Sequence, residues 1–260
     1  MAHEAFSLGA ARVLISNDDG VHAPGLQVLE TVMRRLAREV WVIAPETEQS
    51  AASHSLTMRR PLYVRQVDER RYIVDGTPTD CVLLAVHKVM KNSPPDLVLS
   101  GINRGANMGE DATYSGTVAA AMEGTLLGFR SVALSLHYVE AGNVQWSTPE
   151  RWIPPTLDRL SRARWPDDVL INVNFPDVDP DAVTGIEVTR QGRRKIGSAI
   201  IEGFDPRGEK YFWIGADRQE IRDRKGTDLE AVLRGAVSVT PLTRNLTAER
   251  ALQDLQDLFQ

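Results

Sequence analysis

Two adjacent carboxylates, Asp18 and Asp19, follow the short apolar run Arg12-Val13-Leu14-Ile15-Ser16 through Asn17. Paired carboxylates at the end of a buried strand repel each other and lose hydration, a cost that a cation relieves. Hard divalent ions take oxygen ligands, and Mg2+ keeps waters beside one or two carboxylates. Asn17-Asp18-Asp19-Gly20 is equally good turn chemistry. On these four residues alone, a metal site and a plain turn stand level.

Further polar groups sit where other apolar runs stop. Asn103 closes Ser100-Gly101-Ile102-Asn103, and the glycines at 101 and 105 allow close approach to a ligand; a loop asparagine with no ligand is the plainer reading. Ser115-Gly116-Thr117 precedes Val118-Ala119-Ala120-Ala121-Met122. Free N–H groups and hydroxyls at a helix start suit a phosphate, although capping alone also explains Ser115. Ser50, Ser53, His54 and Ser55 share one loop, without the Gly-x-Ser-x-Gly elbow of a serine hydrolase. His22 follows the Asp pair and can orient that turn or meet substrate. The chain has no Gly-x-x-x-x-Gly-Lys-Ser/Thr loop, and no Gly-x-Gly-x-x-Gly follows its first strand. These gaps argue against a P-loop NTPase and a dinucleotide enzyme.

The elements that must position these groups alternate. Strands are expected at 12–16, 40–44, 96–100, 132–135 and 169–173, with two further extended pieces at 62–67 and 71–74. Helices are expected from Pro24-Gly25 through Leu36, from a Thr79-Asp80 cap to about Lys91, over 115–127 and over 153–160. Strands apolar throughout and separated by helices imply an α/β fold, a mostly parallel sheet covered on both faces. Ligands then sit beyond the carboxyl ends of the strands. The ends at Asp18, at the loop 45–55 and at Asn103 fall on one edge of such a sheet. Beyond Gly185 the texture changes: 191–225 reads as β-hairpins with an aromatic patch at Tyr211-Phe212-Trp213. A late strand (237–242) and an amphipathic helix (248–259) close the chain.

With 260 residues and a net charge of -5, the chain can build one large domain. A mildly acidic chain is a poor general partner for nucleic-acid polymers, so phosphate would be handled locally. The one cysteine, Cys81, lies in an apolar helical stretch and reads as a packed structural thiol. No run approaches a membrane span, and a cytoplasmic location is expected.

Four stretches, Ser16–Gly25, Gly76–Cys81, Ser100–Asn103 and Tyr114–Gly124, resemble the survival protein E (SurE) family of 5'/3'-nucleotidases, in the right order. The likeness runs from about Val13 to Leu242 and is thinner over Ala141 to Arg164. It implies a Rossmann-like three-layer α/β core over 11–185, a protruding hairpin region for oligomerisation over 186–236, and a closing strand and helix over 237–260. It also implies a homodimer or homotetramer, and one Mg2+ or Mn2+ per subunit on Asp18, Asp19, Ser50 and Asn103. Ser50 enters only through the resemblance. The implied phosphate pocket falls on Asn107, Ser115, Gly116 and Thr117. The family often carries Asn in place of His54, so no essential role is given to it. The ten residues before Ala11 extend past the usual start, and a disordered tail is expected there.

The reaction expected is hydrolysis of nucleoside monophosphates by attack of metal-activated water, with Asp18 and Asp19 as catalytic residues and Asp19 preferred as proton acceptor. An aspartyl-phosphate route is an alternative at the level of sequence. A nucleotide sensor without catalysis is the rival class, and the intact Asp18, Asp19 and Asn103 set argues against it.

Overall fold

The computed structural model describes residues 2–139, 144–196, 200–214, 218–220 and 225–259. A nine-stranded sheet organises the chain. Its strands are β1 (Arg12–Ser16), β2 (Glu39–Pro45), β3 (Val64–Asp68), β4 (Arg71–Val74), β5 (Leu97–Arg104), β6 (Arg130–Leu136), β7 (Val169–Phe175), β8 (Gly185–Val188) and β9 (Ala236–Thr243). The spatial order is β8-β9-β7-β6-β5-β1-β2-β4-β3. All neighbours are parallel except β7 with β9 and β3 with β4. The expected α/β class, with a mostly parallel sheet, is the one found.

Helices cover both faces. Helix α1 (Pro24–Leu36) and helix α4 (Ser147–Arg162) lie on one side, where Leu26, Leu29, Met33, Ile153 and Leu157 share a core with Val13 and Ile15. Helix α2 (Pro78–Leu84) and helix α3 (Gly116–Leu126) lie on the other, where Cys81, Val82 and Ala120 meet Leu14, Ile43 and Val98. The period of two along a strand produces this division of Val13 and Ile15 from Leu14. Each of these three side chains is fully buried, worth roughly 1.5–3 kcal/mol apiece. The core therefore fixes the end of β1, and with it the backbone that carries the two carboxylates.

The order of strand addition reverses at β1, whose parallel neighbours are β2 on one side and β5 on the other. That is a topological switch point, where open α/β sheets leave a crevice at the carboxyl edge. The ends of β1, β2 and β5 converge there as expected.

Several boundaries differ from the sequence reading. Helix α2 is capped by Thr77, two residues before Thr79. The Thr77 side chain accepts from the Asp80 amide, and the Asp80 side chain accepts from the Thr77 amide. This capping box satisfies two orphan amides and outcompetes a Thr79 start. After Leu84 the helix widens into a π-turn over Ala85–Val89. Residues 2–10 are not the disordered tail expected. Ala2–His3 pairs with Trp165–Pro166, the Phe6 amide donates to Ser161, and Leu8–Ala10 forms a 3-10 turn. Apolar burial of Phe6 and Leu8 against the main core accounts for the order.

In the excursion between β8 and β9, Ile200–Phe204 pairs with Lys210–Ile214 and Arg194–Ile196 pairs with Arg218–Glu220, both antiparallel. The hairpin reading holds over the described residues; 197–199, 215–217 and 221–224 lie outside them. A short helix, α5 (Asp228–Leu233), follows; the sequence reading did not place it. The closing helix, α6, spans Glu249–Leu258.

Candidate active site

At the end of β1 the chain turns through Asn17, whose side-chain amide donates to the Gly20 carbonyl at 2.8 Å. Gly20 takes φ +95, a conformation glycine adopts without penalty. The turn predicted from Asn-Asp-Asp-Gly is thus real, and it presents two carboxylates to a cleft.

The cleft has a volume of about 330 Å³, and Asp18, Asp19, Ser50, Asn103, Asn107 and Ser115 all line it. Four separate stretches of sequence therefore deliver six of the expected site residues to one place. Asp18 is almost wholly buried and accepts a short hydrogen bond from the Thr117 hydroxyl. Burial pushes its pKa up to about 6, the charge of Asp19 pushes the same way, and the Thr117 bond partly offsets both. Asp19 accepts from the Arg104 amide at 3.0 Å. Its carboxyl is also raised, by burial first and then by the nearby Glu48 charge.

Asn103 donates its side-chain amide to the Gly105 carbonyl at 2.7 Å, so its oxygen is the end left for a ligand. Ser50 donates to Glu48 at 2.6 Å. Asn107 is locked in a buried network: its amide donates to Asn174, its side chain donates to Ser135, and its carbonyl accepts from Asn172.

Gly116 and Thr117 do not line the cleft; they stand behind it. A Cβ at Gly116 would lie 2.8 Å from Asp18 Cβ, so glycine here makes room for the carboxylate. Thr117 is fully buried, with its hydroxyl committed to Asp18. Ser115 caps α3 by accepting from the Val118 amide at 3.1 Å, and it also faces the cleft. Both readings of Ser115 are therefore compatible with its position.

The family profile described as Survival protein SurE matches residues 13–198. The chain belongs to the SurE family. A "5'-nucleotidase SurE" of Paramagnetospirillum magneticum is 62% identical over 248 residues, covering 95% of each chain. One from Rhodospirillum rubrum is 53% identical over 255 residues, covering 97% of each. The crystal structure of the SurE protein from Aquifex aeolicus superposes with a TM-score of 0.84 at 39% identity, covering 96% of this chain and all of that one. The resemblance read from four sequence motifs is confirmed at the level of family and fold.

Among the described residues of this SurE chain, no three His, Cys, Asp or Glu side chains form a metal-binding group. The donor set at the cleft is of another kind: two carboxylates, one amide oxygen and one hydroxyl. All four are hard oxygen donors, which fit Mg2+ or Mn2+ rather than a metal that prefers nitrogen or sulfur. The charge balance also fits. The cleft is lined by Asp18, Asp19, Glu48 and Asp111 against Arg104 alone, and Arg194 pairs with Asp111 at 2.7 Å. Three carboxylates then face one guanidinium, a field that repels a phosphate dianion unless a cation is added.

The sequence reading passed over Thr117 as the partner of Asp18, Glu48 as the partner of Ser50, and Tyr114 and Tyr138 in the cleft lining. Glu48 was visible two residues before Ser50; the Thr117 bond spans 99 positions and leaves no local trace. His54, given no essential role, makes a 2.9 Å contact with Glu123 of α3. His22 is exposed and absent from the cleft lining. Cys81 is fully buried, and burial raises its thiol well above the usual range, as suits a structural residue.

Proposed function

We propose that this SurE chain is a metal-dependent phosphomonoester hydrolase, a 5'-nucleotidase releasing phosphate from nucleoside monophosphates. The observation that carries the reading is the charge of the cleft. Paired carboxylates, one of them buried, line a pocket that also carries Glu48 and Asp111, with Arg104 as the cation in its lining. The relatives named 5'-nucleotidase SurE support the substrate class.

Asp18, Asp19, Asn103 and Ser50 would hold one Mg2+ or Mn2+. When bound, the ion supplies a Lewis acid that activates water and neutralises phosphate charge. Asp19, the more accessible of the pair, accepts the proton of the attacking water. Asn107 and Ser115 hold phosphoryl oxygens from fixed positions, so little reorganisation accompanies the build-up of charge. Thr117 and Gly116 serve one step back, orienting Asp18 and giving it space. Arg104 supplies a positive charge at the mouth.

The hairpin Ile200–Phe204 and Lys210–Ile214 carries exposed Ile200, Ile201, Phe204, Phe212, Trp213 and Ile214. Such a surface favours burial against a second copy, and we read residues 186–236 as the homodimer or homotetramer contact on a core of 11–185. No helix among the described residues is long and apolar enough to cross a membrane; separately, we propose a cytoplasmic location.

The test is phosphate release from a panel of nucleoside monophosphates with Mn2+, with Mg2+ and with EDTA, for wild type and Asp19→Asn. Activity that requires the ion and collapses in the variant is expected. Activity indifferent to EDTA, or none on any nucleotide from folded protein, would overturn the reading.

A further inference from the structure

The segment Ala106–Asp111 forms one wall of the cleft and is held from behind by residues much later in the chain. Arg194 is buried, and its Nε donates to Asp111 Oδ2 at 3.0 Å across 83 positions. Its Nη2 donates to the Ala106 carbonyl at 3.0 Å and lies 2.7 Å from the same Asp111 oxygen. Gln191 donates to the Gly109 carbonyl at 2.7 Å. Asp228, which opens α5, accepts from the amides of Gly109 at 2.9 Å and Gly192 at 2.7 Å. Gly109 itself has φ +55, and a Cβ there would stand 2.8 Å from the Arg194 amide. The two stretches are fitted to each other without room for a side chain.

We propose that Arg194 is a positioning residue for hydrolysis. It fixes the Ala106 carbonyl and the Asp111 carboxylate, and so sets the wall that carries Asn107. The excursion between β8 and β9 thereby belongs to the site as well as to the surface. A guanidinium is suited to this because its rigid fork reaches two acceptors at once, which a lysine ammonium does not reproduce. Ala106, Met108, Leu229 and Val232 pack together here, so water is a poor substitute for the lost donors. Asp18, Asp19 and Asn103 hang from β1 and β5 and are held by Thr117, Arg104 and Gly105 instead. Loss of Arg194 therefore weakens the phosphate side, while the Asp111 charge it no longer opposes adds to the field that favours a cation.

This rests on the proposed phosphatase reading, and the experiment separates the two. Arg194→Ala and Arg194→Lys are assayed well below their melting temperatures, with folding checked by circular dichroism. The readouts are kcat on a nucleoside monophosphate, inhibition by inorganic phosphate, and Mn2+ affinity from titration in the absence of substrate. In Arg194→Ala, kcat is expected to fall by up to about a hundredfold, the scale of a small misplacement of a catalytic wall. Inhibition by phosphate weakens about tenfold, while Mn2+ affinity is not weakened. Wild-type constants in folded variants, or equal losses of phosphate and Mn2+ affinity, would overturn the proposal. If Arg194→Ala does not fold, Arg194→Lys carries the same test with smaller losses expected. A wild-type protein inactive on every nucleotide would strike the phosphatase reading itself; active wild type beside undiminished variants strikes the Arg194 role alone.

Discussion

The hydroxyl of Thr117, in the first turn of α3, donates a hydrogen bond to Oδ1 of Asp18 at the end of β1. The bond ties a proposed metal ligand to the helix that also presents Ser115. A hydrogen bond to a buried charged group contributes about 1.5–3 kcal/mol. Thr117→Val keeps the shape and removes the donor, so kcat is expected to fall roughly tenfold to a hundredfold if that energy is spent orienting Asp18. Thr117→Ser retains the donor and should stay near wild type. Steady-state phosphate release on both variants checks this; a fully active Thr117→Val would remove the orienting role.

Gly116→Ala sets two effects against each other. Alanine in place of glycine in a helix gains about 1 kcal/mol of propensity. The new methyl would stand 2.8 Å from Asp18 Cβ and 3.2 Å from Pro78 Cγ, and neither atom is the free end of a flexible chain. Overpacking of this kind costs about 1–3 kcal/mol, and the displaced atom belongs to a proposed metal ligand. The clash should win: a lower melting temperature and a loss of activity of about tenfold or more. An alanine variant as stable and as active as wild type would show that Asp18 tolerates the shift.

Asp18 makes stability depend on pH in a defined direction. Its folded pKa, about 6, lies above the ordinary 3.8, so the folded state holds the proton more tightly than the unfolded chain does. Without metal, stability therefore falls as pH rises through that window, and the full cost of ionisation is present above it. A shift of this size corresponds to at most about 3 kcal/mol. Asp18→Asn removes the charge and can still accept from Thr117. In EDTA, urea denaturation should find it more stable than wild type by about 1–3 kcal/mol at pH 7.5, with the gap closing toward pH 4.5. Equal stability at both pH values would mean that the carboxylate is solvated well enough to lose nothing. The same variant should be inactive, because the charge that costs stability is the one that draws the cation.

What the sequence made legible follows from the range of the forces involved. The apolar runs at β1, β2 and β5 announced buried parallel strands, and their polar ends announced one shared edge. Local chemistry such as the Asn17–Gly20 turn and the Ser115 cap was readable from neighbouring residues. The bonds that assemble the site are not local: Thr117 reaches Asp18 across 99 positions and Arg194 reaches Asp111 across 83. No periodicity encodes such pairs. The N-terminal residues were misjudged for a related reason, since Phe6 owes its order to Arg130 and Ser161, distant in sequence. Ser50 sits in a loop whose composition is that of any polar turn; only the resemblance singled it out, and the fold then brought it to the cleft.

The metal reading can be tested without any turnover. A ligand that binds only the folded state stabilises it by RT ln(1 + [L]/Kd), about 2.7 kcal/mol at a hundredfold excess over Kd. For a chain of this length that corresponds to a rise in melting temperature of about 5–10 °C. Mn2+ or Mg2+ should produce it and EDTA should reverse it. Asp19→Asn and Asn103→Ala should each blunt the rise, since the first removes a negative charge from the set and the second an oxygen donor. Gly105 accepts the Asn103 amide, so Asn103→Ala also frees that carbonyl; Asn103→Asp frees it too, a carboxylate being an acceptor only, but keeps an oxygen facing the cleft, so it is the control that should preserve the metal response. If neither ion shifts the melting curve while nucleoside monophosphates do, the four oxygens are a nucleotide cradle, and the sensor becomes the better account of the cleft.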